Sequence, residues 1–172
     1  MPDARGRTPR LFVTTPLQPG AAVELPDDTA HHAARVLRLR DGDEVVLFDG
    51  QGGEYPARLA FPGRDRVVAE TGEHRAVDRE SPLGVTLVQG LSSGDKMDFT
   101  VQKAVELGVA AIQPVATERS VVRLSSEREA KKVSHWRRVA IAACEQCGRN
   151  RIPEVREPVA LARYRPEGAG PR

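Results

Sequence analysis

The chain has 172 residues, 40% of them hydrophobic and 29% charged, with a net charge of +2. That length supports a buried core in one domain or two small ones, and the composition excludes a disordered polymer. No apolar run reaches the roughly 18 residues of a membrane span. The opening M-P-D-A-R-G-R-T-P-R lacks the apolar stretch of a secretory signal, so a cytoplasmic protein is expected.

The first part of the chain reads as short strands, at residues 11–14, 22–25, 44–48, 55–60 and 66–70. Asp41-Gly42 and Asp49-Gly50 mark tight turns on either side of the third. One helix interrupts them, capped by Asp27 or Asp28 and running through Leu37, with Ala33, Val36 and Leu37 facing inward. This predicts a small β-barrel with one helix. Gly50-Gln51-Gly52-Gly53 is followed by Glu54-Tyr55-Pro56, which opens a strand. It therefore reads as a hairpin turn, since a phosphate cradle would open a helix. The charged stretch up to Pro82 reads as a linker, dividing the chain into 1–72, 73–82 and 83–172.

After Pro82 the period changes. Residues 85–89 form a predicted strand, 95–107 a helix with Met97, Val101, Ala104 and Val105 on one face, and 110–115 another strand. Asp95 and Asp98 suit the helix start, and Lys103 with Glu106 reads as a solvated pair. Strand, helix, strand and helix in succession predict a parallel sheet, so the fold class is an α+β barrel followed by α/β. Two strands are too few for a stable sheet, and Pro153 is expected to end regular structure.

The long last helix begins at Ser126, where Ser126 and Glu129 suggest a capping box, and Gly148 stops it. Val133, Trp136, Ala140, Ala143 and Cys147 form an apolar stripe along one side. Residues 128–151 hold seven Lys or Arg against two Glu. Residues 1–75 balance to −2 and residues 76–172 to +4, so the positive charge gathers on this helix. Such a face is either simply solvated or suited to a polyanion such as RNA. Cys144 and Cys147 lack further ligands for zinc and lie far from a helix start, so they read as packing residues. His31 and His32 diverge by about 100° on a helix and cannot share a metal, and one could face RNA beside Arg35 and Arg38. Glu118-Arg119-Ser120 leaves the carboxyl end of a predicted parallel strand, where open α/β sheets collect ligands.

Several segments together resemble the RsmE family of bacterial methyltransferases. They are Arg10-Leu11-Phe12, His32 with Arg35-Val36-Leu37-Arg38, Leu47-Phe48-Asp49-Gly50 and Asp78-Arg79-Glu80-Ser81-Pro82-Leu83. K-M-D-F-T-V-Q-K-A-V-E-L-G-V from Lys96, Glu118-Arg119-Ser120, and I-A-A-C-E-Q-C-G-R-N-R-I-P-E-V from Ile141 complete the set. The resemblance implies a PUA-like RNA-binding barrel joined to a SPOUT methyltransferase domain, dimeric and closed by a trefoil knot. That domain would use S-adenosylmethionine to methylate N3 of a uridine in 16S ribosomal RNA of the small subunit.

Carried over by position, Arg10, His32, Arg35 and Arg38 would contact RNA, with Lys131, Lys132, Arg137 and Arg138 of the basic helix. Arg119, Ser120, Glu145, Gln146 and Arg149 would lie near the reacting base. Arg119 or Arg149 could stabilise the N3 anion, and Glu145 could act as base only with a raised pKa. The family's G-P-E-G-G loop and later L-R-x-E-T segment are not found, so no cofactor-binding residue is assigned. These residues alone are expected neither to bind the cofactor nor to methylate. A non-catalytic RNA-binding remnant is the alternative, and an uncovered helix stripe would favour aggregation.

Overall fold

The structure, a computed structural model, describes residues 8–63, 66–118 and 126–166. It divides into two compact units, one of Met1–Glu80 with Cys144–Ile152 and one of Ser81–Ala143 with Pro153–Arg172. The linear division expected from composition differs at Cys144–Ile152, which belongs with the first unit.

The first unit is built on a five-stranded half-barrel of β1 (Arg10–Phe12), β2 (Ala22–Glu24), β3 (Glu44–Phe48), β4 (Tyr55–Ala60) and β5 (Val68–Thr71). The spatial order is β1-β3-β4-β5-β2, with β1 and β3 parallel and the other pairs antiparallel. Alternation fixes the faces: Val45, Leu47, Ala57, Leu59 and Ala69 are buried while Glu44, Arg58 and Glu70 are exposed.

Helix α1 (Asp27–His31) continues as a π-helical turn over His32–Val36, in which Leu37 N–H donates to His32 O. Its N-cap is Pro26, with no side-chain cap, so Asp27 and Asp28 act through their charge in the first turn. The wider turn rotates the face. Ala33 is buried as expected, but Val36 is 62% exposed. The turn ends at Arg38, in the left-handed region at φ 55°.

The second unit contains β6 (Thr86–Gly90), α2 (Asp95–Glu106), β7 (Ala111–Ala116), most of α3 (Ser126–Cys147), β8 (Glu154–Val155) and β9 (Val159–Ala160). All sheet pairings are parallel, with β7 central between β6 on one side and β8 and β9 on the other. Pro153 therefore does not end regular structure. Met97, Val101 and Val105 of α2 are buried, as are Val133, Trp136, Ala140 and Ala143 of α3. The stripe is covered within the chain and presents no sticky surface. The side chain of Ser126, on which the capping box rests, lies outside the described residues. Among those residues, no helix is long and apolar enough to cross a membrane.

Central strand β7 contains Pro114, which has no N–H for the ladder. Between Ile112↔Val155 and Val115↔Val159 the register slips by one residue, at the break occupied by Pro158. Gln113, 5% exposed, fills the gap: its Nε2 donates to Glu157 O and to Pro114 O, each at 2.9 Å. Gln113→Leu should strand those carbonyls and destabilise the protein by about 1–3 kcal/mol. Urea unfolding would show this as a lower midpoint with an unchanged slope.

Candidate RNA interface and its buried support

In the first unit, the β3–β4 turn, the 75–80 segment and the Cys144–Ile152 segment converge on Glu54, which is 5% exposed. Glu54 Oε2 accepts from Arg10 Nη1 at 2.6 Å and from Arg79 Nη1 at 2.8 Å. The main chain of Glu54 exchanges hydrogen bonds with Arg75. Arg10 also donates to Asn150 Oδ1 and to Arg149 O, while Arg79 donates to Gly148 O at 3.1 Å. Asn150 Nδ2 donates to Val77 O at 3.0 Å, and Arg149 is paired with Glu80. Burial pushes the Glu54 carboxyl up, but hydrogen bonds from Arg79 and Arg10, with their charges, outweigh it and hold the pKa at about 2.

Arg10, expected to touch RNA, is therefore 8% exposed, with its guanidinium 4.9 Å from the Phe48 ring centroid. A buried cation needs a partner, and here Glu54 provides it. Arg149 is likewise buried, at 6%. Glu145 Oε1 accepts from Phe12 N–H at 2.9 Å. Burial raises the Glu145 pKa, partly opposed by that N–H and by the charge of Arg10. Gln146 is exposed. Cys144 is fully buried and its thiol is pushed up to about 12 by burial, which keeps it inert at neutral pH. The segment expected to be a linker is held through Arg75, Val77, Arg79 and Glu80.

Elsewhere on this unit, Arg35 and Arg38 are exposed and His32 is half-buried, its pKa lowered by burial and by His31. A cleft of about 320 Å³ is lined by Asp27, Asp28, Ala30, His31, Ala34, Arg35 and Val67. In the second unit Lys131, Arg137 and Arg138 are exposed and Lys132 is half-buried. Arg137 also ties down the strand end, donating from Nε to Val155 O at 3.1 Å. Arg119 and Ser120 lie outside the described residues. Sequence reasoning missed Glu54 and Asn150, because a buried paired charge and a solvated one look alike in a string. The nearest signal was the shared charge of Arg10, Asp78-Arg79-Glu80 and Arg149-Asn150-Arg151 in the motif segments.

The RNA methyltransferase PUA domain family matches residues 25–71, and the RNA methyltransferase domain family matches residues 79–166, half of the chain. A protein of Bacillus subtilis named ribosomal RNA small subunit methyltransferase E is 34% identical over 128 residues, covering 74% of this chain and 50% of that protein. Its namesake in Buchnera aphidicola subsp. Acyrthosiphon pisum is 30% identical, covering 89% of this chain and 60% of its own. The crystal structure of a ribosomal RNA small subunit methyltransferase E from Neisseria gonorrhoeae, bound to S-adenosyl methionine, superposes with a TM-score of 0.87 at 44% identity. That match covers 94% of this chain and 67% of the other. The chain thus spans half to two thirds of the length of these relatives. The half-barrel is PUA-like and the parallel sheet with its helices matches a SPOUT-like methyltransferase fold, as the sequence resemblance implied.

Because the folded-state pKa of Glu54 lies below its ordinary 4.5, its contribution is complete above pH 4.5 and is lost as pH falls towards about 2. The shift corresponds to about 3 kcal/mol. Glu54→Gln should cost about 3–5 kcal/mol by leaving the buried Arg10 guanidinium uncompensated. It should also flatten the stability profile across that acid range, measured by urea unfolding at successive pH values.

Proposed function

This chain belongs to the RsmE family of RNA methyltransferases, and from that membership we propose that the protein serves S-adenosylmethionine-dependent methylation of N3 of a uridine in 16S ribosomal RNA. The observation that carries the reading is the coincidence of the two family matches with the two kinds of sheet. Residues 25–71 fall on the half-barrel, and residues 79–166 on the parallel strands. The assembly proposed is the homodimer of the family, acting on the small ribosomal subunit in the cytoplasm.

Ser92, just past the carboxyl end of β6, has a buried hydroxyl oxygen without a partner among the described residues. That fits a polar ligand at the edge where open α/β sheets collect them, and Ser92 would help hold the cofactor there. S-adenosylmethionine supplies an electrophilic methyl group when bound. Arg119, beyond the carboxyl end of β7, stabilises the anion left when uridine N3 loses its proton, and Ser120 orients the base. Gln146 lies near the base as an exposed polar contact. Glu145 and Arg149, engaged by Phe12 and Glu80, act as positioning residues. His32, Arg35 and Arg38, with Lys131, Lys132, Arg137 and Arg138, supply the cationic faces for the RNA backbone. Arg10 supports that surface from inside.

Methyl transfer to small ribosomal subunits that lack the modification, read as N3-methyluridine by mass spectrometry, tests the reaction. Arg119→Ala should lower transfer about 10²- to 10³-fold while subunit binding persists. Arg35→Ala should weaken subunit binding and reduce its salt dependence. Salt-sensitive RNA binding without any transfer, and without calorimetric heat from S-adenosylmethionine, would replace this reading with that of a non-catalytic RNA-binding protein.

A further inference from the structure

We infer that the β3–β4 turn and Arg151 form a phosphodiester subsite for an RNA strand, separate from the cationic helix face. The inference rests on the RNA reading above and adds a place on the surface which that reading does not use. A cleft of about 290 Å³ in the first unit is lined by Gln51, Gly52, Gly53, His74, Asn150 and Arg151 among others. The turn is held from within: Asp49 Oδ1 accepts from Gln51 N–H at 3.1 Å, and Asp49 Oδ2 accepts from Leu17 N–H at 3.2 Å.

Gly52 and Gly53 both have positive φ, at 104° and 71°, where a side chain would be strained. A Cβ on Gly52 would lie 3.0 Å from Arg151 Nη2 and 3.2 Å from its Cζ, and one on Gly53 would collide with His74 Nε2. Arg151 thus sits directly over the half-buried main chain of Gly52, and His74 over the buried main chain of Gly53. Neither glycine N–H donates to an acceptor among the described residues. The Arg151 guanidinium is exposed and makes no ion pair among those residues, and the His74 ring is set against Tyr55 at 4.9 Å.

Two carboxylates also line the cleft, each engaged through one oxygen, and Glu80 Oε1 is buried without a partner among the described residues. Glu80 is paired with Arg149, and Asp78 Oδ1 accepts from Glu80 N–H at 2.8 Å. The donors left over are two main-chain N–H groups, a planar guanidinium and an imidazole. Main-chain donors at left-handed turns together with arginine favour a tetrahedral oxyanion. The cleft is too small for a folded partner, but it admits a phosphate with its sugar. A phosphodiester contact of this kind positions a strand without reading its sequence.

The test uses the 172-residue chain and a fluorescein-labelled single-stranded RNA oligonucleotide, with fluorescence anisotropy at several salt concentrations. Arg151→Ala should weaken affinity roughly threefold to tenfold for any sequence and reduce the log–log salt slope by about 0.7. In ¹H–¹⁵N spectra the amide signals of Gly52 and Gly53 should move with the RNA and stay in place with equimolar inorganic phosphate. If Arg151→Ala binds like the parent while Arg35→Ala is weakened, the subsite is overturned and the RNA reading stands. If the parent binds no RNA, both fall together. If inorganic phosphate alone moves the amides as far as RNA does, the cleft is a small-anion site and the inference is overturned.

Discussion

The first unit depends on one carboxylate. Glu54 is buried with two guanidiniums against it; that of Arg10 is buried too and could not enter a low-dielectric interior without it, whereas Arg79 stays partly exposed. Once neutralised, Arg10 and Arg79 have N–H groups to spare, and these go to carbonyls at Arg149 and Gly148 that follow a helix end. Both carbonyls lie past the last helical residue, Cys147, and the two guanidiniums satisfy them there. The ion pairs therefore matter less as attractions than as a way of bringing donors to those two carbonyls.

This arrangement accounts for why a segment far along the chain belongs to the first unit. Residues 144–152 contribute Arg149 and Asn150 to the cluster, and Asn150, only 1% exposed, both accepts from Arg10 and donates to Val77. The 75–80 stretch, highly charged and followed by Pro82, has the composition of a linker but is held by the main chain of Arg75, the carbonyl of Val77 and the ion pairs of Arg79 and Glu80. Composition reports what a segment could do in water; hydrogen-bond partners decide what it does in the protein.

The legible parts of the fold were those with a repeating pattern. Strands β3 and β4 were visible through period-two alternation, and α2 and α3 through their apolar faces and the glycines that follow them. The π-helical turn was not, because the spacing of Ala33, Val36 and Leu37 fits an α-helix equally well. Strands β8 and β9 have two residues each, below any period. At the candidate site, sequence similarity picked out Arg10 and Arg149, but an arginine buried against Glu54 or Glu80 is written with the same letter as one facing solvent. Turn chemistry at Gly52 and Gly53 was read correctly as a hairpin, whereas Arg151, about a hundred residues away, could be set beside it only in three dimensions.

Pro114 in the middle of β7 also limits how the parallel sheet can assemble. A strand of plain N–H donors could slide along its neighbours and pair almost as well one step away. With one donor missing from β7, the side-chain amide of Gln113 stands in for it and satisfies Glu157 O in the observed alignment. The proline thus works as a key for alignment, since a neighbouring pairing of the same short strands would take Glu157 O away from the one donor that answers it.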